Sequence, residues 1–457
     1  MSINDCLARI MGQSTVGFKA GVRLHFLGVL GAGMLPLSEL CHRLGAYVTG
    51  SDRAYREQMA GKYPHISFCP LRQGSSADLV VYSLAIDEGD PELMLAREMG
   101  IPTVSRAEML GFLMLSYNHR IGVAGTHGKS TTTALVSTVL SACGKMPTTL
   151  SGADLPSGGS FLVGERDYFV FEACEYRDAF LSMHPTGAII NNIEIDHTDY
   201  FKDEKQLQSS FLSFADKCNE HILIGTDTPL SEQLASELPR AYTFGSGEKN
   251  DFLYNITART GDSCTFTLYH RKSRIGEFEI GTFGEHNVKN AAGALSLCYL
   301  YGADISKACE ALSLFRGIPR RQELLGYIGG TRAVYYDYAH HPTEISATIT
   351  ALKERHGNVT VIFRPHTFTR TRSLFEGFAA ALSAADRTVV LDVYAARTEK
   401  TEGVGSRELA MATNGGVYLD FDSAVSYCLQ NTLGAIVLMG AGDVDIVKER
   451  LKEYIDG

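Results

Sequence analysis

The stretch Gly125-Thr126-His127-Gly128-Lys129-Ser130-Thr131 is a tight glycine loop that ends in a lysine and two hydroxyl residues. The apolar run before it, Ile121-Gly122-Val123-Ala124, predicts a strand, and an amphipathic helix is predicted over 131–142. In such a unit the backbone N–H groups face phosphates, the lysine reaches the outer phosphates and the serine hydroxyl ligates Mg²⁺. Full Walker A spacing would place a glycine at Val123, so a glycine turn with a surface lysine is the alternative. The flanking strand and helix favour a nucleotide triphosphate site.

Length and charge limit the classes of protein to consider. The chain has 457 residues, 45% of them apolar, and a formal net charge of −10. At ~150 residues per domain, this length predicts about three domains. The negative charge argues against nucleic acid or an anionic membrane as a partner, so an anionic ligand would need local basic clusters. No apolar run approaches the ~18 residues of a membrane helix, and Asp5 and Arg9 interrupt any signal-peptide core, so we expect a cytoplasmic protein.

The cysteines and the paired histidines do not predict a zinc site. Ten cysteines are scattered along the chain without a Cys-x-x-Cys pair, which is typical of reduced, mostly buried thiols. His340 and His341 are adjacent, so their side chains diverge, and no carboxylate near them has metal-ligand spacing.

A second glycine-rich stretch follows a predicted strand near the N-terminus. Leu24-His25-Phe26-Leu27 runs into Gly28-Val29-Leu30-Gly31-Ala32-Gly33. The next strand ends at Asp52, about 20 residues after the glycines, where Rossmann-like folds bind a ribose. The glycines are spaced G-x-x-G-x-G, whereas the dinucleotide fingerprint is G-x-G-x-x-G, so an NAD site is disfavoured. The segment predicts a nucleotide or sugar-nucleotide site, with a purely structural glycine turn as the alternative.

Two candidate residues follow strands predicted in the middle of the chain. Glu172 follows a strand over 167–171, and an acid in this position of a phosphate-loop protein commonly holds Mg²⁺. His197 follows a strand predicted over 188–193, at the edge where open α/β sheets bind ligands. Taken alone, each side chain is also compatible with an ordinary surface loop.

Further candidates lie on later elements. Asn287 and Asn290 share one face at the start of an alanine-rich helix, where capping is the role that the pattern favours by itself. His366, Arg370 and Arg372 follow a buried strand and form the local basic cluster that an acidic chain needs for an anionic substrate.

Eight motifs occur in the order in which they occur in the Mur ligases, and together they extend over nearly the whole chain. They are Gly28-x-x-Gly31-x-Gly33-Met34, Gly125 to Thr131, Glu172-Ala173-Cys174-Glu175-Tyr176, Asn192-Ile193-Glu194-x-Asp196-His197, His286-Asn287-x-x-Asn290-Ala291, Arg320-Arg321, Asp337-Tyr338-Ala339-His340-His341-Pro342-Thr343-Glu344, and His366-Thr367-Phe368-Thr369-Arg370-Thr371-Arg372. The chain thus resembles this family. Within it, the phosphate loop and the motif at 337–344 resemble the branch that adds L-alanine to UDP-N-acetylmuramate.

The resemblance implies an α/β protein of three domains. These are a Rossmann-like UDP-sugar-binding domain (1–117), a central P-loop ATPase domain (118–316) and a Rossmann-like domain that closes over the amino acid (317–457). It implies an ATP- and Mg²⁺-dependent ligase that joins L-alanine to the lactyl carboxylate of UDP-N-acetylmuramate through an acyl phosphate, in peptidoglycan precursor synthesis. A monomer and a homodimer both remain open.

The resemblance also assigns roles to residues of this sequence. The ATP site would comprise Gly125, Thr126, His127, Gly128, Lys129, Ser130, Thr131, Asn287, Asn290, Arg321 and Asp337. The metal ligands would be Ser130, Glu172 and His197, and the catalytic residues Lys129, Glu172, His197, Arg321 and Asp337. The UDP-sugar site would comprise Gly28, Gly31, Gly33, Asp52, Ser83 and Arg106. The amino-acid pocket would comprise His197, Tyr338 and Arg370.

One departure and three rival interpretations accompany the resemblance. Gln322 stands where the family usually has phenylalanine after the arginine pair, and the lost aromatic contact bears on local packing and nucleotide affinity. The rivals are a recycling ligase that joins a whole tripeptide to UDP-N-acetylmuramate, a non-catalytic homologue that binds nucleotide or UDP-sugar, and a dehydrogenase. The intact set of implied catalytic residues argues against the non-catalytic homologue, and the glycine spacing and the phosphate loop argue against the dehydrogenase.

Overall fold

Three sheets organise the chain in the computed structural model, which describes residues 10, 17–31, 33–83, 85–197, 200–395, 405–430 and 434–456. Each sheet is flanked by helices, so the described residues form three α/β units: the first, the central and the C-terminal unit. The predicted α/β class is confirmed. The central sheet begins with a strand at His119 and the C-terminal sheet with one at Glu323, whereas the domain boundaries at 117/118 and 316/317 stay predictions.

The first unit is built on five parallel strands. Across the sheet they are Ile66–Phe68, Tyr47–Ser51, Arg23–Leu27, Leu79–Tyr82 and Thr103–Ser105. Its helices are Met34–Arg43, Pro91–Glu98 and Arg106–Met114, with a 3₁₀ helix at Glu57–Lys62. The helix Arg106–Met114 begins with a capping box, in which the side chains of Ser105 and Glu108 accept from each other's backbone N–H groups.

The central unit is built on ten strands. Across the sheet they are Ser273–Ile280, Cys264–His270, Phe252–Arg259, Tyr242–Gly245, Ile222–Gly225, Gly187–Ile190, His119–Ala124, Glu165–Glu172, Pro147–Leu150 and Phe161–Leu162. Its helices are Lys129–Ala142, Glu204–Ala215, Pro229–Glu237, Glu285–Leu300 and Ile305–Ser313, with a 3₁₀ helix at Tyr176–Ser182. The strands from Phe252 to Ile280 form an antiparallel meander, and the strands around the phosphate loop are parallel.

The C-terminal unit is built on seven strands. Across the sheet they are Gly416–Tyr418, Arg387–Val390, Val359–Phe363, Ala435–Met439, Arg332–Asp337, Glu323–Ile328 and Ile455–Asp456. Its helices are Pro342–His356, Phe368–Ser373, Phe375–Leu382, Ser406–Ala412, Phe421–Gln430 and Asp445–Leu451, with a 3₁₀ helix at Lys452–Tyr454. Within the described ranges, no helix of any unit combines the length and the apolar character needed to cross a lipid bilayer.

Strand register brings the candidate residues of the central unit together. The strand His119–Ala124 lies between Glu165–Glu172 and Gly187–Ile190, with Val123 beside Glu172 and Ala124 beside Ile190. All three strands are parallel and buried, so their carboxyl ends meet at one edge of the sheet. The strand predicted over 188–193 ends earlier, at Ile190, because the chain leaves the sheet there to contact the phosphate loop.

Candidate active site

The phosphate loop requires glycine at its last bend. Gly128 has φ 80°, and it precedes the helix Lys129–Ala142. A Cβ atom at this position would lie 2.5 Å from Oδ1 of Asn290. Asn290 is therefore buried and packed against the phosphate loop from the neighbouring helix. It lies inside that helix, which begins at Glu285, so it does not cap the helix.

Two asparagines after the strand Gly187–Ile190 hold the loop in shape. His127 N donates to Asn192 Oδ1 at 2.8 Å, and Thr126 N donates to Asn192 O at 3.0 Å. The Asn191 Nδ2 amide donates to Thr132 Oγ1 at 3.0 Å on the helix that follows the loop. These bonds fix the backbone that would surround the phosphates, a role that the sequence did not assign to either asparagine.

Lys129 lies at the mouth of the loop, paired with an acid. Its Nζ donates to Gly125 O at 2.6 Å and to Glu175 Oε2 at 3.0 Å. Burial alone would lower the pKa of Lys129, but the charges of Glu175, Cys174 and Glu172 together outweigh it, and the net shift is upward. The lysine therefore stays charged, as a residue that neutralises phosphate must.

Two oxygen donors beside the loop have the chemistry that Mg²⁺ prefers. Ser130 Oγ donates to Glu172 Oε2 at 2.7 Å, and Gly152 N donates to the same oxygen at 2.8 Å. A Cβ atom on Gly152 would lie 2.8 Å from Glu172 Oε2, so only glycine allows this approach. A hydroxyl and a carboxylate at the end of the loop fit a hard cation.

A cavity of about 440 Å³ joins these residues to the other two units. The central unit contributes Lys129, Ser130, Glu172 and His197 to its wall. The first unit contributes Leu35 and Pro36, and the C-terminal unit Arg320, Arg321, Tyr338 and His340. We call it the catalytic cavity. The structure thus brings together eight of the predicted site residues: Thr126, Gly128, Lys129, Ser130, Glu172, His197, Arg321 and Tyr338.

A neighbouring cavity of about 370 Å³ lies between the central and C-terminal units, and we call it the nucleotide cavity. The predicted ATP-site residues in its wall are His127, Gly128, Ser130, Thr131, Asn287, Asn290, Arg321 and Asp337. Thr126 and Lys129 face the catalytic cavity instead. The two cavities share Gly128, Ser130, Arg321 and Glu344, so the loop separates a space for the nucleoside from a space for the reacting groups.

The far wall of the nucleotide cavity is a polar network around Asp337. Its Oδ2 accepts from Gln322 N at 3.0 Å and from Thr348 Oγ1 at 3.1 Å. Burial raises the pKa of Asp337 to about 6, although Arg321 opposes the shift. Gln322, expected above to depart from the family pattern, accepts from Asn287 Nδ2 at 2.9 Å and forms a polar link between the two units.

Next to this network lies an ionic cluster that the sequence did not reveal. His127 Nε2 is 3.0 Å from Glu194 Oε2, and its Nδ1 is 3.4 Å from Glu344 Oε1. Burial alone would lower the pKa of His127, but hydrogen bonds to both carboxylates raise it to about 9. Burial alone would raise the pKa of Glu194, but hydrogen bonds from His127 and Thr343 and the charge of His127 lower it to about 2. The histidine is therefore a cation between two anions.

The predicted amino-acid pocket is only partly assembled around the catalytic cavity. His197 and Tyr338 line it, whereas Arg370 does not. Arg370 is bonded to Asp196, with Nη2 at 3.0 Å from Oδ1 and 3.1 Å from Oδ2. The guanidinium carbon of Arg320 lies over the Tyr338 ring, 4.7 Å from the centroid of the ring.

The predicted UDP-sugar residues fall into two groups. Gly28, Gly31, Asp52 and Ser83 line a cavity of about 580 Å³ in the first unit. Gly33 and Arg106 lie outside that cavity wall and contact each other, with Arg106 Nε donating to Gly33 O at 3.0 Å. The cavity wall also contains Tyr55 and Phe68, whose rings stack at 4.3 Å, a pair that the sequence did not single out.

Four acids of the site were not predicted from the sequence, and the reason is the same for each. Glu175, Glu194, Asp196 and Glu344 were visible in the motifs, but each acts through a partner on another segment. Glu194 and Asp196 follow a buried strand at the ligand-binding edge, and that position was the only available signal.

Sequence profiles of one family match all three units. The profile described as "Mur ligase family, catalytic domain" matches residues 23–118, "Mur ligase middle domain" matches 123–298, and "Mur ligase, glutamate ligase domain" matches 320–442.

Relatives and solved structures agree with these profiles. The UDP-N-acetylmuramate--L-alanine ligase of Caldanaerobacter subterraneus subsp. tengcongensis is 38% identical, over 94% of this chain and 97% of that protein. The enzyme of that name from Agathobacter rectalis is 36% identical, over 95% and 99%. The crystal structure of the UDP-N-acetylmuramate-alanine ligase of Thermotoga maritima superposes with a TM-score of 0.78 at 26% identity, over 94% of this chain and 98% of that one. A murein peptide ligase from Psychrobacter arcticus gives 0.66 at 25%, over 95% and 98%. The resemblance seen in the motifs is confirmed, and the chain belongs to the Mur ligase family.

Proposed function

We propose that this protein is an ATP-dependent amide-forming ligase that joins L-alanine to the lactyl carboxylate of UDP-N-acetylmuramate. The observation that carries the proposal is the catalytic cavity, in which the phosphate loop faces residues of both other units. A ligase of this kind must bring a nucleotide, a carboxylate and an amine together, and three units around one cavity suit that task. Curated relatives at 34–38% identity carry the name of this activity.

The first step activates the carboxylate, which is a poor electrophile. A lactyl carboxylate oxygen attacks the γ-phosphorus of ATP, the bond to the β-phosphate oxygen breaks, and ADP leaves. Lys129, charged and held beside the loop, neutralises the negative charge that develops on the transferring group. Ser130 and Glu172 would hold Mg²⁺, which supplies further charge neutralisation at the phosphates.

The second step forms the amide. The amine nitrogen of L-alanine attacks the carbonyl carbon of the acyl phosphate, the carbon–oxygen bond to phosphate breaks, and the amine releases a proton. His197 and Tyr338 line the cavity where this attack takes place. Arg370 would bind the carboxylate of L-alanine. To do so, it would give up part of its pairing with Asp196.

The nucleoside ends of the two nucleotide substrates lie in different units. Arg321, Asp337, Asn287 and Asn290 surround the space next to the phosphate loop, which suits the adenosine of ATP. The cavity with Gly28, Gly31, Asp52 and Ser83 suits uridine diphosphate, and its Tyr55–Phe68 stack offers an aromatic face to uracil. Because both substrates are nucleotides of the cell interior, we infer a cytoplasmic location.

Phosphate release by the purified protein tests the proposal. The assay contains ATP, Mg²⁺ and UDP-N-acetylmuramate, and it compares L-alanine, glycine, L-serine and the L-Ala-D-Glu-diamino-acid tripeptide as acceptors. We expect release that depends on UDP-N-acetylmuramate and is greatest with L-alanine. Preference for the tripeptide would assign the protein to recycling, and nucleotide binding without turnover would assign it a binding role.

A further inference from the structure

Three potential metal ligands from distant segments meet beside the nucleotide cavity, and two of them, His127 and Glu194, line its wall. His127 belongs to the phosphate loop, Glu194 follows the strand Gly187–Ile190, and His341 precedes the helix Pro342–His356. One ligand atom from each lies within 4.8 Å of the others. Glu194 Oε2 is 3.0 Å from His127 Nε2 and 3.9 Å from His341 Nδ1, and the two imidazole rings are 4.5 Å apart.

These distances suit a tetrahedral metal. With metal–nitrogen bonds of ~2.0 Å, the ligand atoms of a tetrahedral site lie roughly 3.3 Å apart. The two distances to Glu194 lie on either side of this value, so small rotations of the side chains would complete the geometry. The cluster is open to the nucleotide cavity through His127 and Glu194, which leaves a fourth position for water.

The surrounding groups hold the ligands as metal sites require. The other ring nitrogen of His127, Nδ1, faces Glu344 at 3.4 Å, which is the carboxylate–histidine arrangement that orients a metal-bound imidazole. Thr343 N donates to His341 Nδ1 at 3.3 Å, a long hydrogen bond that uses the lone pair of this nitrogen and that a metal ion bound there would replace. Thr343 Oγ1 also donates to Glu194 Oε2 at 2.7 Å and orients its carboxylate.

The donor set selects a class of ion. Two imidazoles and one carboxylate prefer Zn²⁺, Co²⁺ or Ni²⁺, whereas Mg²⁺ prefers oxygen ligands alone. The oxygen donors Ser130 and Glu172 lie in the catalytic cavity, so the two sites differ in chemistry as well as in ligands.

We propose that His127, Glu194 and His341 form a binding site for a divalent transition-metal ion of the Zn²⁺ type, which links the central unit to the C-terminal unit. Two ligands come from the central unit and one from the C-terminal unit, so a bound ion fixes their relative position across the nucleotide cavity. Metal binding needs no nucleotide, and the ion replaces the proton that His127 Nε2 shares with Glu194.

Titration of the full-length protein with Co²⁺ tests the site, with Mg²⁺ in excess and no nucleotide present. We expect one equivalent of Co²⁺ to bind with the intense visible d–d absorption of a four-coordinate ion, and Zn²⁺ but not Mg²⁺ to displace it. In Glu194→Gln and His341→Gln the dissociation constant rises by at least about tenfold. His340→Gln is the matched control, because it removes the neighbouring imidazole, and it retains the wild-type affinity.

Two results would overturn the proposal. One is the absence of Co²⁺ binding to the wild-type protein, and the other is binding that Glu194→Gln and His341→Gln leave unchanged. X-ray absorption of the wild-type Zn²⁺ complex needs no variant and keeps the test valid if a substitution prevents folding. It should show two imidazole ligands, and sulfur ligation by a cysteine would contradict the assignment.

Discussion

Arg370 and Asp196, 174 positions apart in the chain, form a fork-like ion pair that joins the C-terminal unit to the central unit. Nη2 of Arg370 contacts both carboxylate oxygens, at 3.0 and 3.1 Å, and Nε contacts Oδ1 at 3.1 Å. Both side chains are about nine-tenths buried, with 12% and 10% exposed. Burial would raise the pKa of Asp196, but His197 and Arg370 lower it well below its usual range. The pair is thus ionised and couples the two units at the edge of the catalytic cavity.

The geometry of this pair predicts the effect of Arg370→Lys. Lysine keeps the charge but loses the planar fork, so it cannot hold Asp196 and an incoming carboxylate together. We expect the KM for L-alanine to rise about tenfold, the cost of one charge-assisted hydrogen bond, with a smaller change in the KM for ATP. Steady-state kinetics measure both constants. Arg387→Lys, at the exposed start of the strand Arg387–Val390 in the same unit, should leave them unchanged.

The position of Lys129 predicts a loss of turnover on truncation. Lys129→Ala removes the buried cation that neutralises the transferring phosphoryl group, and kcat should fall by about 10²–10³-fold. Lys145→Ala is a suitable control, because Lys145 lies beyond the far end of the same helix and its ammonium lies over the ring of Tyr168. Equal activity of the two variants, measured by phosphate release, would remove Lys129 from the mechanism.

The Ser130–Glu172 contact predicts a specific dependence on Mg²⁺. Glu172→Gln preserves shape and removes the carboxylate charge, so the Mg²⁺ concentration for half-maximal activity should rise by at least about tenfold. Glu165→Gln, at the exposed start of the same strand, provides the control. An unchanged Mg²⁺ profile in Glu172→Gln would mean that the metal is bound elsewhere.

The cluster around His127 predicts a pH dependence of stability. Burial alone would lower the pKa of His127, but its carboxylate partners raise it from 6.5 to about 9. A group with a raised pKa stabilises the fold fully below its unfolded value and loses that contribution as pH rises through the folded value. Between pH 6.5 and 9.5 the wild type should therefore lose on the order of 3 kcal/mol more unfolding free energy than His127→Gln.

Thermal unfolding across this pH range measures the difference. His184→Gln serves as the control, since burial lowers the pKa of His184 instead of raising it. Parallel pH profiles of the wild type and His127→Gln would show that His127 is not protonated in the folded protein.

The phosphate-loop site of the central unit was the part that could best be predicted from sequence, because its motifs directly follow predicted strands in the chain. The loop at 125–131 lies between the predicted strand and helix, and the helix begins at Lys129, two residues before the predicted start. Glu172 was found because parallel strands end at a common edge, and the register places it beside Val123.

Contacts between units could not be predicted in this way. His127, Glu194 and His341 are each unremarkable in their own segments, and only the packing of two sheets brings them together. His341, but not the adjacent His340, belongs to this cluster. The contact of Arg106 with Gly33, instead of with the cavity of the first unit, likewise depends on a side-chain direction that spacing does not encode.

Transfer of a labelled oxygen tests the proposed chemistry most directly. UDP-N-acetylmuramate carrying ¹⁸O in both oxygens of its lactyl carboxylate is converted with ATP and L-alanine, and the products are weighed by mass spectrometry. If the carboxylate attacks the γ-phosphate and alanine then displaces phosphate, one labelled oxygen appears in each inorganic phosphate and one remains in the alanyl product. Unlabelled phosphate, or labelled substrate recovered without an alanyl product, would contradict the ligase mechanism.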